Sequence, residues 1–488
     1  HNLKRFSFFI CVHLAAGIIG PGLLAMPAFA QDATSVDELQ RVIEAQQEQL
    51  EAQQKQLDAQ RQLLEKLQSQ IKALAEDTDK EEVTVTVEKP PTEPPSKPAT
   101  GRPERRVGVS QEDKYDSESP TGSDVTYFDP TLLVKIPDSK TEVGVHGFVE
   151  FQVIHDTTGL DNNRFDTAFI PVDGAPSQTK FNVNPTRIAI SSTTPVAEGR
   201  VNTVISTDFN GELDKADPRL RLAFGEFVND SAGFALLAGQ AYSTMLDMRA
   251  VPETLDFAGP AGLWQQRHPL MRFSKAVTDT FMTEISLETP EDAFYINAER
   301  LTRWPDASAS GFWEVGGKYV DHVRVAALAR DLRAETEDGA RDSVLGWTLQ
   351  GSGKIKLPFL GDRDTFRFHV HYGEGYGTYI KGGPREGIFN TADTELEAIG
   401  IFGSFGGVQH FWSPKFRSNL VYGYVNSDNP GFAAEDTFDN TNYVAADLIW
   451  NPYKMTTIGA EYLWGRREDK DGASGTGNRF LFSSRFDF

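Results

Sequence analysis

Short alternating segments fill the chain from Val143 to Phe488, and they constrain its fold more than any other feature. Apolar and polar residues alternate within each segment, and Gly, Pro, Asp and Asn separate one segment from the next. Successive side chains of a strand point to opposite faces, so the pattern predicts β-strands with one apolar and one polar face. The final stretch, RFLFSSRFDF, places Phe480, Phe482, Phe486 and Phe488 on one such face.

The composition indicates where the apolar faces point. Hydrophobic residues make up only 39% of the chain and mean hydropathy is -0.39, although aromatic residues reach 11%. A wall that is apolar outside and wet inside fits these values better than a dry core does. Beyond residue 30 we find no apolar run long enough for a transmembrane helix, so a membrane role requires a closed barrel whose phenylalanines face lipid. The net charge of -22 argues against nucleic acid as a partner.

About sixteen strands are predicted, joined alternately by short and long connections. One set is expected near 144–154, 199–209, 233–241, 280–288, 322–331, 364–373, 414–425 and 454–466, and the returning set near 180–192, 219–228, 268–276, 311–319, 343–355, 395–409, 441–450 and 478–488. The long connections cover 155–179, 242–267 and 374–394. An all-β transmembrane antiparallel barrel over 142–488 is therefore predicted, with 18 strands as the alternative to 16.

Residues 1–30 are typical of a secretory signal peptide. Lys4 and Arg5 precede an apolar run, and Ala28-Phe29-Ala30 forms a small-residue cleavage site. The only cysteine, Cys11, lies in this segment. The mature chain is therefore expected to lack disulfides, thiolate catalysis and thiolate metal sites.

A heptad repeat follows in 31–78, where AQQEQLE, AQQKQLD and AQRQLLE are near-copies. One core position is filled every seven residues by Ile43, Leu50, Leu57, Leu64 and Ile71. The strict period predicts an N-terminal α-helical coiled coil of two or three strands, the alternative being a lone surface helix. Residues 79–141 are rich in Pro and acidic residues and predict an extended linker.

Strand parity predicts that arginines point into the lumen. Ile188 and Ile190 are expected to face outward, which turns Arg187 inward. Leu220 and Leu222 are likewise expected to face outward, which turns Arg219 and Arg221 inward. The same reasoning gives the inward set Arg187, Arg200, Arg219, Arg221, Arg272, Arg324, Arg367, His369, His371 and Arg417. A guanidinium pairs bidentately with a carboxylate, so such a lumen would attract anions.

A structural role for these arginines is the alternative. They could brace the barrel by pairing with acidic residues that parity also turns inward, namely Asp208, Glu284, Asp447 and Glu461. His369 and His371 share one face of a strand at a spacing that can bind metal. We find no third ligand, so pore lining is the preferred interpretation and no metal or other cofactor is expected.

The connection 242–267 is apolar and poor in charge for an external loop. Such a segment is expected to fold into the pore, where it would bring Arg249 and Arg267 to a constriction. The alternative is a loop that lies across a neighbouring subunit.

Four stretches together resemble the DcaP-like family of outer-membrane porins: GQAYSTMLDMRAVPETLDFAGP (239–260), RLRLAFGEF (219–227), NPTRIAISSTTP (184–195) and ALARDLR (327–333). The resemblance implies a homotrimer of 16-stranded barrels in a Gram-negative outer membrane, each with its own pore. It also implies a periplasmic coiled coil that supports trimerisation, and passive diffusion of small anionic solutes such as dicarboxylic acids. The terminal strand ending in Phe488 resembles the signal by which the barrel assembly machinery recognises its substrates.

Other functions find less support in the sequence. An enzyme would need an activated nucleophile, and the barrel region holds neither cysteine nor a Gly-x-Ser-x-Gly elbow, so no catalytic residue is assigned. In a trimeric adhesin each chain contributes only a short piece of the barrel, whereas this region is long enough to close one alone. A general or substrate-specific channel without marked anion selectivity is the main alternative.

Overall fold

The computed structural model describes residues 132–136, 139–158, 160, 163–211, 215–291, 293–295, 298–390 and 392–488. The predicted signal peptide, the coiled coil with Ile43, Leu50, Leu57, Leu64 and Ile71, and nearly all of the predicted linker lie outside the described residues. Every structural statement below refers to the described residues.

These residues are almost entirely strand and loop. The strands are β1 Leu132–Lys135, β2 Glu142–Asp156, β3 Gln178–Asn182, β4 Arg187–Val196, β5 Gly199–Asp208, β6 Arg219–Asn229, β7 Phe234–Tyr242, β8 Arg267–Ala276, β9 Phe281–Glu288, β10 Phe294–Tyr295, β11 Ala298–Arg300, β12 Asp306–Glu314, β13 Val320–Thr336, β14 Arg341–Lys356, β15 Thr365–Glu374, β16 Gly387–Asn390, β17 Glu395–Ala398, β18 Gly400–Ser413, β19 Phe416–Asp428, β20 Phe438–Tyr453, β21 Thr456–Asp469 and β22 Ser474–Asp487. Single turns of 3-10 helix lie at Thr167–Phe169, Met248–Ala250 and Gly377–Tyr379. No helix in the described ranges has the length and apolarity needed to cross a membrane.

Sixteen antiparallel strands close a barrel, as the alternation predicts. β2 is followed around the wall by β4 to β9, β12 to β15 and β18 to β22, and pairing of β22 with β2 closes the circle. Closure satisfies the backbone of every wall strand without an edge. β1 pairs with β2 from within the range predicted as linker, and Leu132 lies opposite Val145 there.

The predicted strand at 180–192 is two strands in the structure. β3 and β4 both pair with β2, β3 along one half of it and β4 along the other. Pro185 lies between them. Proline has no backbone N–H to donate to a sheet, which explains the break at this point.

Outward faces are apolar and inward faces are polar or packed against loops, as expected for a barrel in lipid. Met271 is 67% exposed on β8, whereas Arg272 beside it is buried. Leu222 breaks the predicted parity, because it is fully buried instead of facing out. The register of β5 against β6 shifts between Ser206 and Thr207, and this bulge turns both Arg221 and Leu222 inward.

Glycines on the inner wall make room for loops that enter the barrel. A Cβ atom on Gly423 of β19 would lie 2.6 Å from the carbonyl oxygen of Ala261 in the loop between β7 and β8. A Cβ atom on Gly475 of β22 would clash with the carbonyl oxygen of Pro171 in the loop after β2. We call residues 157–177 the first loop, 243–266 the pore loop and 375–399 the sixth loop.

Candidate functional site

The pore loop is held by its backbone against the wall that begins at β13. Arg324 donates to the carbonyl oxygens of Thr244 and Met245. Further along the loop, Arg367 donates to the Val251 carbonyl at 3.0 Å. Arg272 on β8 donates to the hydroxyl oxygen of Thr244, and His369 and His371 on β15 contact the carbonyl oxygens of Asp247 and Gly262. Carbonyl oxygens only accept, so these wall side chains serve as donors to the loop.

Acidic side chains of the pore loop bind the same wall. Asp247 accepts from Ser352 at 2.8 Å and lies 3.0 Å from the Nε2 atom of His322. Glu253 forms a bidentate pair with Arg417, with both N–O distances at 2.6 Å. Arg249 reaches back from the loop to Asp321 on β13, at 2.7 Å. The loop is thus fixed by buried charge pairs as well as by its backbone.

The sixth loop also enters the barrel and pairs with the pore loop. The Gly262 N–H donates to the Lys381 carbonyl at 2.8 Å, and the Lys381 N–H donates to the Leu263 carbonyl at 2.9 Å. The Trp264 ring stacks on Tyr376 at 5.4 Å between centroids. The strand pattern predicts 374–394 only as a long connection, although the glycine-rich and aromatic stretch GEGYGTYIKGG is unusual for a solvated loop.

A pocket that is partly open to solvent lies between the pore loop and the wall strands β4, β6 and β8, and its empty volume of about 560 Å³ includes the open part. We call this pocket the cavity. Its outer side carries arginines from three wall strands and from the first loop, namely Arg187 on β4, Arg219 and Arg221 on β6, Arg267 on β8 and Arg164 on the first loop. Its inner side is the pore loop, which contributes mainly apolar groups such as Leu246, Met248, Phe257 and Leu263. One side of the cavity is therefore cationic and the other apolar.

Asp208 and Tyr242 accept hydrogen bonds from arginines of this cavity and fix their positions. Asp208 accepts from the Nε and Nη2 atoms of Arg219 at 3.0 and 2.7 Å, and from the Nη1 atom of Arg221 at 2.9 Å. The hydroxyl oxygen of Tyr242 accepts from Arg221 at 2.7 Å and from Arg267 at 3.1 Å. Three guanidinium groups are thereby held in a fixed mutual arrangement.

Two further contacts shape the cationic side. The Phe257 ring of the pore loop lies 5.6 Å from the Arg187 guanidinium and 5.4 Å from that of Arg221, both within cation–π range. Arg164 donates to the Asn210 carbonyl at 3.1 Å. Burial lowers the pKa of the Arg164 guanidinium and the nearby Asp208 carboxylate raises it, and an arginine stays charged under both influences.

The structure divides the predicted pore-lining residues into groups with different surroundings. Arg187, Arg219, Arg221 and Arg267 converge at the cavity. Arg249, Arg272, Arg324, Arg367, His369, His371 and Arg417 contact or belong to the pore loop. Arg200 lies next to the turn between β4 and β5 and pairs with Asp230 at 2.5 Å. Pore lining by the whole set stays a prediction.

Sequence reasoning missed Arg164 and Tyr242 as members of the cavity. Arg164 follows a loop stretch without alternation, so parity could not be applied to it. Tyr242 is the last residue of β7 and lies at the start of the pore-loop stretch. As for metals, no group of three or more potential His, Cys, Asp or Glu ligands is present in the described part of the chain.

A closed sixteen-stranded barrel with loops folded into its lumen is the architecture of an outer-membrane channel. Residues 134–488 match the family described as DcaP outer membrane protein, and the chain belongs to this family. Family membership, the barrel and an outer-membrane location are thereby confirmed. The family and fold are those of channels rather than enzymes.

Solved structures are similar to this chain to different degrees. The outer membrane channel DcaP of Acinetobacter baumannii is 21% identical with a TM-score of 0.65, covering 73% of this chain and 99% of that one. The anion-selective porin from Comamonas acidovorans is 8% identical with a TM-score of 0.48, covering 71% and 100%. OmpT of Vibrio cholerae is 12% identical with a TM-score of 0.47, covering 73% and 100%. No curated protein matches the chain.

Proposed function

We propose that this chain is a porin for passive diffusion of small anionic solutes, among them mono- and dicarboxylates. The observation that carries the proposal is the convergence of Arg164, Arg187, Arg219, Arg221 and Arg267 on one cavity beside the pore loop. Guanidinium groups bind carboxylates through charge-assisted hydrogen bonds, and they repel cations in a confined lumen. The chain as a whole carries a charge of -22, so this cationic cluster is a local feature.

The apolar side of the cavity supports organic solutes in particular. A carboxylate can contact the arginines of the wall while the carbon skeleton of the same molecule contacts Leu246, Met248 or Phe257. Both parts of such a solute then exchange water for matching protein surface. A fully hydrated inorganic anion gains only from the cationic side.

The assembly we propose follows the predicted organisation of the chain. Residues 1–30 are removed as a signal peptide, and residues 31–78 form a periplasmic coiled coil through Ile43, Leu50, Leu57, Leu64 and Ile71. Three chains associate as a homotrimer, with residues 79–141 as the linker to each barrel. We propose that β22, together with the Phe488 that follows it, directs the chain to the barrel assembly machinery. The heptad period and the aromatic terminal strand support this proposal.

A channel without marked anion selectivity is the second candidate. The observation in its favour is the pairing of Arg219 and Arg221 with Asp208, which reduces the net positive charge of the cavity. An acidic partner of this kind weakens the attraction of an anion without removing it.

Planar-bilayer recording of the detergent-extracted protein tests the proposal. The reversal potential in a KCl gradient is measured for wild type, Arg221→Ala and Arg187→Ala. Arg341→Ala is the matched control, because Arg341 is an exposed arginine paired with Glu335 away from the cavity. We expect anion preference in wild type and in the control, and reduced preference in both cavity variants. Closure in three steps would support the trimer, and a wild-type channel that prefers cations would refute anion selectivity.

A further inference from the structure

We propose that Asp208 acts as a built-in counter-anion of the arginine-lined cavity and determines how long an anionic solute stays there. The inference rests on the proposed function, because it assigns a specificity-determining role within the same site. It concerns release of the solute rather than attraction.

Asp208 is the last residue of β5, and its carboxylate lies among arginines of the neighbouring strands. Arg187 of β4 is its direct cross-strand partner on one side, and Arg219 of β6 on the other. Its side chain is fully buried and accepts three hydrogen bonds from Arg219 and Arg221. The carboxylate therefore engages the donor groups that a carboxylate solute would use.

Other acidic residues near the pore loop are directed elsewhere. Glu253 forms its bidentate pair with Arg417, and Asp256 lies 3.2 Å from the Lys381 ammonium group. Both bind groups outside the arginine side of the cavity. Of these three acidic residues, Asp208 on β5 is the one that binds two cavity arginines.

A solute carboxylate must compete with Asp208 for the forks of Arg219 and Arg221. Without that competition, five guanidinium groups would hold a dianion firmly. Rapid conduction requires binding that is strong enough for entry and weak enough for exit. The internal carboxylate raises the energy of the occupied state and lets the arginines return to a bound partner when the solute leaves.

Asp208→Asn removes the charge at nearly constant volume and tests the inference with succinate as the probe. Succinate is added to a KCl bath, and its dwell time is measured from blockade events in single-channel current. Removing one negative charge a few ångströms from the solute is expected to lengthen the dwell time about tenfold. The reversal potential in KCl should shift further toward anions.

Three further variants separate charge from structural damage. Asp230→Asn is the matched control, because Asp230 pairs with Arg200 at the end of the strands, away from the cavity, and its variant should behave as wild type. Asp208→Glu keeps the charge and should retain a short dwell time. Asp208→Ser removes the charge with a different side chain and should lengthen the dwell time, as the asparagine does.

The outcomes separate the inference from the proposed function. Unchanged or shorter succinate dwell times in folded Asp208→Asn and Asp208→Ser channels, with anion preference intact in wild type, would overturn the role of Asp208 alone. A wild type without anion preference would instead overturn the proposed function. Failure of both neutral variants to fold, with Asp208→Glu folded, would assign Asp208 a structural role and likewise overturn the inference.

Discussion

Inward arginines lie on two sides of the barrel, and the arginines of each side have a different role. On the side from β4 to β8, Arg187 and Arg221 line a cavity together with other arginines. On the side from β13 to β21, Arg324 and Arg417 bind the pore loop. Strand parity gives the same prediction for all four. The difference between the two sides teaches that direction alone does not define the role of a lumen arginine, because the path of the loop inside the barrel decides which arginines contact it by hydrogen bonds and which border the cavity.

The loop-binding side contains a buried ion pair that fixes the pore loop. The Arg417 and Glu253 side chains are almost completely buried, and their pair is bidentate. Removing one partner of such a pair leaves an uncompensated buried charge. On the cavity side the pair of Arg221 with Asp208 is equally buried, and the arginines there also border the cavity. Substitutions on the two sides should therefore affect different properties of the channel.

The largest expected effect is on the cavity side. Arg219→Ala combined with Arg221→Ala removes two positive charges and should lower the anion-to-cation permeability ratio about tenfold, as expected for charges a few ångströms from the permeating ion. The reversal potential in a KCl gradient measures this ratio. Conductance should change much less, because the pore loop keeps its anchors on the other side. Unaltered selectivity would show that the cavity arginines do not set the anion preference of the channel.

On the opposite side, Arg417→Met should loosen the pore loop and leave selectivity nearly unchanged. Glu253 loses its bidentate partner, a change that costs about 3–5 kcal/mol in comparable buried pairs. Single-channel recordings should show larger and noisier conductance, and thermal unfolding should begin at lower temperature. Arg341→Met, in an exposed pair, is the control. A quiet channel of wild-type conductance would mean that the remaining contacts suffice to hold the loop.

A smaller effect is expected from Gly423→Ala. The new Cβ atom would lie 2.6 Å from the Ala261 carbonyl oxygen, so the pore loop must move toward the cavity at a cost of about 1–3 kcal/mol. Conductance should fall, and succinate flux should fall with it. Gly225→Ala on β6 is the control, because its Cβ atom would have no neighbour within 4 Å. Equal conductance in both variants would show that the loop is not pressed against β19.

The smallest effect is expected from Tyr242→Phe. The lost hydroxyl oxygen accepts hydrogen bonds from Arg221 and Arg267, and such a bond contributes about 1 kcal/mol. The two arginines keep their charges but lose a common anchor, so anion preference should fall slightly. The measurement is the reversal potential beside that of Tyr453→Phe, the same change at an exposed tyrosine of β20. A loss of preference as large as that of the double arginine variant would assign Tyr242 a greater role than positioning.

Much of the barrel could be predicted from the sequence, because strand alternation is a local property. All sixteen wall strands overlap a predicted strand, and most arginines point inward as parity requires. The exceptions have structural causes that lie outside a single strand. Leu222 is buried because β5 and β6 shift register, and the sixth loop enters the lumen because its backbone pairs with the pore loop.

The sequence by itself determined a closed amphipathic barrel, a loop suited to the lumen and a family. Each follows from periodicity, composition or an extended motif that is visible without neighbours in space. Only the tertiary structure decided which arginines meet at a cavity and which hold the pore loop. Arg221 and Arg324 both point inward from their strands, and they differ in what the folded chain places opposite them. Charge pairing depends on distances of a few ångströms between segments remote in sequence, so folding alone could distribute these roles.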